Sequence, residues 1–422
     1  MDPVHLEPRM LPKGKSPLFT MTRCHSKPEK GLLVTGGTGF IGSHLAGALA
    51  EAGHSVFLLI RALNAEGTPA YDRWNRIADW LGLSPAARAH IKVFVGNLDD
   101  PDLNLSLDDA RFLKANTEEI VHAAGSTSFS EKKRNEIFQT NLIGLKNILS
   151  FVDRGICRRI HAISTAYVGE GTQTPCRECI SPAHGFFNPY EESKHQAEIL
   201  LREFCNWNGL RLSIYRPSVV YGNSLTGRTF RFNALYHPVR SIAYLRDLFK
   251  KDLLENSGKQ ARKMGISLDS TTQTLHMPIR FQKRQGTGVN LIPIDYCTDA
   301  ILELMNVPEN EGIFHIINTQ NTPLTDLVSF AGRFLKVSGM GVDGISAQRA
   351  QQDPTSGALD HLFLRYMEAY QPYIEDTRIF DDSRAARTLS PAGIRCPKFS
   401  YAIFEQCMTY AVKSNWGRTL GP

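Results

Sequence analysis

The sequence predicts an α/β protein: a doubly wound parallel sheet with a smaller, mostly C-terminal substrate domain. Two observations carry this reading. Short apolar, β-branched runs alternate with longer helical patterns from residue 31 onward, and a glycine-rich turn directly follows the first run. The runs are continuously apolar, which marks strands buried on both faces and hence a parallel sheet covered by helices on each side. With right-handed crossovers, ligands of such a sheet bind beyond the carboxyl ends of its strands.

Strands are predicted over 32–35, 56–60, 91–95, 120–124, 160–164 and 211–216, with helices over 40–52, 71–81, 136–152 and 189–207. The pattern changes after residue 222. Residues 223–288 read as irregular and basic, with 12 Lys or Arg against 4 Asp or Glu, a surplus of 8. Regular patterning returns with Leu291-Ile292-Pro293-Ile294-Asp295, a helix over 298–305, a strand over 313–317 and a helix over 323–335. The tail begins rich in Gly and Gln and ends in helical patterns.

The composition, 42% hydrophobic and 21% charged over 422 residues, is that of a globular protein with a large core. It holds no apolar run of the ~18–20 residues that a membrane helix requires. Residues Arg9, Lys13, Lys15, Arg23, Lys27 and Lys30 lie among scattered prolines, without the apolar core of a secretory signal. A disordered leader or an upstream start codon accounts for them. The eight cysteines are Cys24, Cys157, Cys176, Cys179, Cys205, Cys297, Cys396 and Cys407. Without a secretion signal they indicate a reduced cytoplasm. Cys176 and Cys179 form a single C-x-x-C, but structural zinc wants a second ligand pair. They read as incidental thiols, and no metal is expected. A net charge of +6 does not by itself indicate nucleic acid.

Thr35, Gly36, Gly37, Thr38, Gly39, Phe40, Ile41 and Gly42 follow a strand and open a helix. Gly36 permits the tight turn, Gly39 lets a pyrophosphate approach the backbone, and Gly42 lets the helix pack on the strand. The helix N-terminus offers N–H groups and partial positive charge to the phosphates. This is the fingerprint of a Rossmann dinucleotide site. After the second strand an acid would bind the ribose of NAD, but the chain has Arg61, placing a guanidinium where a 2′-phosphate would sit. Arg73 and Arg76 are candidates for a second cation, so the expected cofactor is NADP(H). Asn97 is placed to hydrogen-bond adenine. Leu98 beside it, Ala123, Ala124 and Gly125 after the fourth strand, and Pro217, Ser218 and Val220 after the sixth complete the candidate cofactor contacts. The expected division is a basic leader 1–30, a dinucleotide-binding core 31–222, a basic substrate-side insert 223–290, a return to the core and substrate domain 291–335, and a C-terminal helical substrate or cap region 336–422.

Of thirteen tyrosines, only Tyr190 has a lysine four residues on, Lys194. On a helix that spacing puts both on one face. A phenol of pKa ~10 is a poor acid at neutral pH, and a nearby ammonium lowers it toward a useful value. At the end of the fifth strand, Thr165 is the first candidate to hold a substrate carbonyl beside Tyr190 and Ser164 the second; either also fits a strand-end cap. Asn141 is a candidate proton relay to Lys194 or a plain helix-surface residue.

The chain resembles the extended short-chain dehydrogenase/reductase superfamily through TGGTGFIG at 35–42, NPYEESK at 188–194 and YRPSVVYG at 215–222. Within it, LLIRA at 58–62, GNLDDPDLNL at 96–105, VHAAGSTSF at 121–129, ISTAYVGE at 163–170 and LIPIDYCTDAI at 291–301 look most like the thioester-reductase and fatty-acyl-CoA-reductase (male-sterility-type) branch. The resemblance covers residues 31–335. Asn97 stands where the branch usually has Asp, and the basic insert has no quotable counterpart. With no adenylation or carrier domain in view, the resemblance implies a stand-alone enzyme.

Three functions compete. The first is NADPH-dependent reduction of a carbonyl, foremost an acyl thioester of CoA or a carrier protein, giving aldehyde or alcohol; a small ketone or aldehyde is the alternative substrate. The basic insert would attract such anionic carriers, although a solvated loop explains its charge equally well. The second is a nucleotide-sugar epimerase or dehydratase, which shares the glycine loop and the Tyr–Lys pair but usually retains NAD; Arg61 argues against it. The third is a non-catalytic NADP-binding sensor, against which the retained Tyr190 and Lys194 argue. The superfamily often forms a homodimer through a helix pair, and nothing in this sequence requires one.

Overall fold

The structure is a computed structural model that describes residues 30–63, 67–168, 175–182, 185–283, 288–344, 359, 363, 370–374 and 376–419. The leader with Cys24, the last two residues of the 163–170 motif and residues 284–287 of the basic insert lie outside the described residues. So does much of the tail between 345 and 369.

Strands β1 (Gly31–Thr35), β2 (Val56–Ile60), β3 (Ile91–Val95), β4 (Thr117–His122), β5 (Arg159–Ile163) and β6 (Arg211–Pro217) join Gly312–Ile316 in a seven-stranded sheet. Every pairing within it is parallel. β1, β2 and β5 are buried along their whole length. Alternate residues of a strand feed opposite layers, as a two-residue period demands. Val34, Leu58, Val121 and Tyr215 join one apolar cluster. Leu33, Phe57, Ile120 and Ile214 join the other.

Across the sheet the order is Gly312–Ile316, β6, β5, β4, β1, β2, β3. The chain runs outward from β1 through β2 to β3, then crosses back to β4 on the other side of β1. That reversal opens a crevice over the carboxyl ends of β1 and β4, where Thr35 pairs with His122.

Three local structures differ from expectation. The single helix expected over 136–152 is Arg134–Phe138, a π-helical turn Gln139–Ile143, and Gly144–Phe151. Such turns shift the register of the helix and re-aim one side chain, here Asn141. Leu291–Pro293 pairs with Val219–Tyr221, and the helix Ile294–Asn306 starts earlier than expected. The insert read as irregular contains a 20-residue helix, Tyr236–Glu255. Its buried Tyr236, Val239, Ile242, Leu245 and Phe249 recur at helical spacing; the surrounding charge masked that stripe. This helix packs with Leu324–Leu335 and Tyr401–Lys413 in a further apolar cluster. Among the described residues, no helix is long and apolar enough to cross a membrane.

Candidate active site

The glycine turn is built by close approach. Gly36 has φ +73°, and a Cβ there would lie 2.5–2.7 Å from the backbone of Ala123 and Ala124. A Cβ on Gly42 would lie 2.3 Å from the Gly36 carbonyl oxygen. Helix α1 (Phe40–Glu51) therefore starts hard against β1. Gly39 caps it with extended backbone and no side chain, no acid occupies its first turn, and the first intrahelical bond runs from Ser43 N–H to Gly39 C=O. The Gly39 N–H donates to the Gly36 carbonyl, and those of Phe40, Ile41 and Gly42 are left for a ligand in the crevice.

Beyond β2 and β3 lies a cleft of about 230 Å³ lined by Arg61, Ala62, Leu63, Val95, Gly96, Asn97 and Asn104. Arg61 and Asn97 therefore line one cleft. Arg73, from α2 (Ala70–Leu81), donates to the Arg61 carbonyl, so it braces the backbone that carries Arg61. Arg76 is exposed. Asn97 is partly occupied by its own turn: Nδ2 donates to Asp100 and Oδ1 accepts from Asp99 N–H. The Leu98 carbonyl accepts from Asn147 at 2.7 Å, tying this loop to Gly144–Phe151.

Between β1 and β4, Thr35 Oγ1 bonds His122 Nδ1 at 2.9 Å and accepts from Ala124 N–H. Burial, and secondarily the Lys194 charge, push His122 down to about 3, so its ring is neutral. Gly125 threads a narrow gap: a Cβ there would lie 3.1 Å from both Lys194 Nζ and Asn141 Oδ1.

The pair sits on the helix Pro189–Asn208. Asn188 caps it by accepting from Glu191 N–H, Pro189 occupies its first position, and left-handed Gly209 ends it. Lys194, buried, donates from Nζ to the Ile163 carbonyl at 2.9 Å, at the end of β5. Burial pushes it down to about 8, opposed by the charge of Glu198. Burial raises the Tyr190 hydroxyl to about 12, against which a hydrogen bond with Thr165 works. Ser164 turns away and donates to Glu198 at 2.5 Å. Glu198 is paired with Arg216 at 2.6 Å, both side chains 1% exposed. Asn141 is buried rather than on a helix surface, which corrects that alternative: Oδ1 accepts from Ser126 N–H, and Nδ2 donates to the Ser126 carbonyl and to Ser193 Oγ. After Pro217, Ser218 is buried, and its Oγ has no hydrogen-bond partner among the described residues. Val220 pairs with Ile292.

Residues 34–301 match the family model described as male sterility protein. The chain belongs to that family. As a male-sterility-family protein it has the NAD(P)-binding fold of the extended short-chain dehydrogenases/reductases. Curated relatives include a putative dihydroflavonol 4-reductase from Synechocystis sp., 30% identical over 168 residues, which are 39% of this chain and 42% of that protein. A UDP-glucose 4-epimerase from Bos taurus is 27% identical over 209 residues, 46% of this chain and 56% of that one. The chain thus spans about half the length of these curated relatives. Among solved structures, the terminal R domain from the myxalamid PKS-NRPS biosynthetic pathway superposes with TM-score 0.69 at 20% identity, covering 93% of this chain and 92% of that one. A thiolation-reductase di-domain from an archaeal non-ribosomal peptide synthetase gives 0.64 at 16%, covering 92% and 76%. At these identities the likeness is one of fold.

In this male-sterility-family chain, residues beyond the matched region reach the site, and sequence reasoning missed them. Arg378, 2% exposed, donates to Asp376, to the Tyr167 carbonyl and to Glu191, the neighbour of Tyr190. Its guanidinium also stacks on Tyr167 and Phe187. Tyr373 accepts from Asn188 Nδ2 at 2.7 Å and stacks on Phe129, whose ring lies 5.8 Å from Tyr190. Cys176, buried in the C-x-x-C, pairs by backbone with residues 379 and 381; Cys179 is exposed, and neither thiol is bridged. The only advance signal was the acidic pair Glu191-Glu192 inside the Tyr–Lys motif. Among the described residues, no group of three or more candidate ligands could hold a metal ion.

Proposed function

We propose that this protein is an NADPH-dependent reductase of a carbonyl, foremost that of an acyl thioester on CoA or a carrier protein, giving an aldehyde and, after a second round, an alcohol. One observation carries the reading: buried Lys194, one helical turn from Tyr190, reaches the end of β5 and lies against Gly125 beside the glycine turn, with Thr165 acting on the Tyr190 hydroxyl. The site suits a dinucleotide. Its turn is tight enough to present backbone N–H groups, and the buried, partnerless Ser218 Oγ is a group that a ligand would satisfy.

In this reading residues 35–42 hold the pyrophosphate, and Arg61, braced by Arg73, holds the 2′-phosphate. Asn97 and Leu98 face the adenine, while Ala123, Ala124, Gly125, Pro217, Ser218 and Val220 line the nicotinamide half. When bound, NADPH supplies hydride to the carbonyl carbon. Thr165 and Tyr190 donate hydrogen bonds to the carbonyl oxygen, and Tyr190 passes it a proton as negative charge develops. Tyr190 alone is too weak an acid for this at neutral pH, so the Lys194 ammonium, charged below about 8, supplies the field that favours phenolate. With its amide spent on Ser126 and Ser193, Asn141 holds the loop after β4 against the catalytic helix. From a thioester, the hemithioacetal formed would collapse to aldehyde and thiol. On cysteine usage we place the enzyme in the cytoplasm.

NADPH oxidation with a panel of acyl-CoA esters, carrier-bound thioesters, ketones and aldehydes tests the reading. Turnover on thioesters is expected; turnover only on free ketones or aldehydes would remove the thioester. The epimerases among the curated relatives keep nucleotide-sugar epimerisation as a second reading. Purified protein carrying tightly bound NAD, with activity that consumes no NADPH, would select it.

A further inference from the structure

The described part of the tail between residues 370 and 381 is fastened at both ends, at one against the catalytic helix and the loop before it, at the other against the loop after β4 and the helix Tyr236–Glu255. At one end Arg378 is locked by Asp376, Glu191 and the Tyr167 carbonyl. Beyond it, Cys176 N–H donates to the Ile379 carbonyl, and Asp381 N–H donates back to Cys176, a short stretch of parallel pairing. At the other end Tyr370 packs on Phe129 and His237.

Tyr373 stands between these anchors. Its ring stacks on Phe129 at 5.1 Å and 29° and meets the edge of Tyr167 at 5.1 Å. Its hydroxyl accepts from Asn188 and bonds Glu191, residues that flank Tyr190. Phe129 in turn lies 5.8 Å from the Tyr190 ring. Phe129 and Tyr373 are half-buried, so part of each side chain remains exposed. The two rings therefore place an aromatic surface within one ring contact of Tyr190.

From this geometry we propose that Phe129 and Tyr373 form the acyl-side wall of the site, and that Tyr373 is a specificity-determining residue for the length of an apolar chain. The proposal rests on the reading that the enzyme acts on a carbonyl, and it adds what the carbonyl is attached to. The tail is then a strap that brings this wall to a Tyr–Lys helix more than one hundred residues earlier.

The test measures binding rather than turnover. Octanoyl-CoA and propanoyl-CoA are titrated by calorimetry into the full chain with NADP⁺ present. The unaltered protein should bind the octanoyl ester at least about tenfold more tightly, since single methylenes in apolar pockets are worth about tenfold or more. Tyr373→Ala should cut that ratio about tenfold, while Tyr373→Phe, which keeps the ring and loses the hydroxyl bonds, should retain it. Phe129→Leu, on a separate loop, reads the same wall should the alanine variant fail to fold, and should also cut the ratio. No chain preference in the unaltered protein overturns the proposal. So does an equal loss for both esters in either ring-removing variant, the result of a merely structural role. NADPH oxidation is read separately. Tighter octanoyl binding without reduction of any thioester removes the proposed reaction and leaves the wall standing.

Discussion

Ser164 and Thr165 are consecutive residues whose hydroxyls serve different partners: Thr165 bonds Tyr190, and Ser164 donates to the buried Glu198 carboxylate at 2.5 Å. The two should therefore separate by experiment. Thr165→Val is expected to lower kcat about 10²–10³-fold, as loss of a single oxyanion donor does, with little change in unfolding midpoint. Ser164→Ala should do the reverse. It removes a hydrogen bond from a buried carboxylate at a cost of about 1–3 kcal/mol, read by urea denaturation, and turnover should fall far less.

Tyr190→Phe keeps the ring against Phe129 and removes the proton. We expect kcat to fall about 10²–10⁴-fold, the usual span for a general acid. The Kd for NADPH, followed by nicotinamide fluorescence, should stay within about twofold, because the expected cradle lies on other residues.

Lys194 makes the pH dependence specific. Burial lowers its pKa from 10.5 to about 8, so the ammonium is present below that value and lost above it. In the reductive direction, kcat/KM should be flat below about pH 8 and fall above it. Tyr190, raised to about 12, stays protonated through that range. A profile in which the rate rises through pH 8 would show that the charged lysine is not what the reaction needs.

Arg61 lines the cleft beyond β2 with Asn97. Arg61→Ala should raise KM for NADPH about 10–100-fold, matching about 1.5–3 kcal/mol for charge-assisted hydrogen bonds, and leave KM for NADH nearly unchanged. Equal effects on both cofactors would show that Arg61 does not meet the 2′-phosphate.

Arg378 is an internal cation between two carboxylates. Arg378→Met would strand Glu191 and Asp376 with little access to water, and should cost about 3–5 kcal/mol in urea or thermal unfolding. A cost under about 1 kcal/mol would mean that the tail is held by its aromatic contacts and its backbone pairing with Cys176.

The parts of this protein legible in its sequence are local. The glycine turn is a run of consecutive residues whose backbone demands only glycine meets, as the positive φ of Gly36 and the 2.3 Å approach at Gly42 show. The Tyr–Lys pair is one helical turn, and the parallel sheet follows from the alternation of continuously apolar runs with helices. The helix Tyr236–Glu255 is present in the sequence too, but charged residues interrupt its apolar stripe and the basic surplus of the whole 223–288 stretch masks it.

What only the tertiary structure decided depends on which surfaces meet. Composition cannot tell a hydroxyl that faces a tyrosine from its neighbour facing a buried glutamate; the packing of β5 against the helix Pro189–Asn208 made that choice. Nor does the sequence around Arg378 mark it as internal, since an arginine alone reads as solvated. It becomes internal because Glu191, 187 residues earlier in the chain, waits for it beside Tyr190. By itself the sequence marked the glycine turn and the Tyr–Lys helix. The long-range burial of charge and aromatic rings decided which hydroxyl meets Tyr190 and which rings stand beside it.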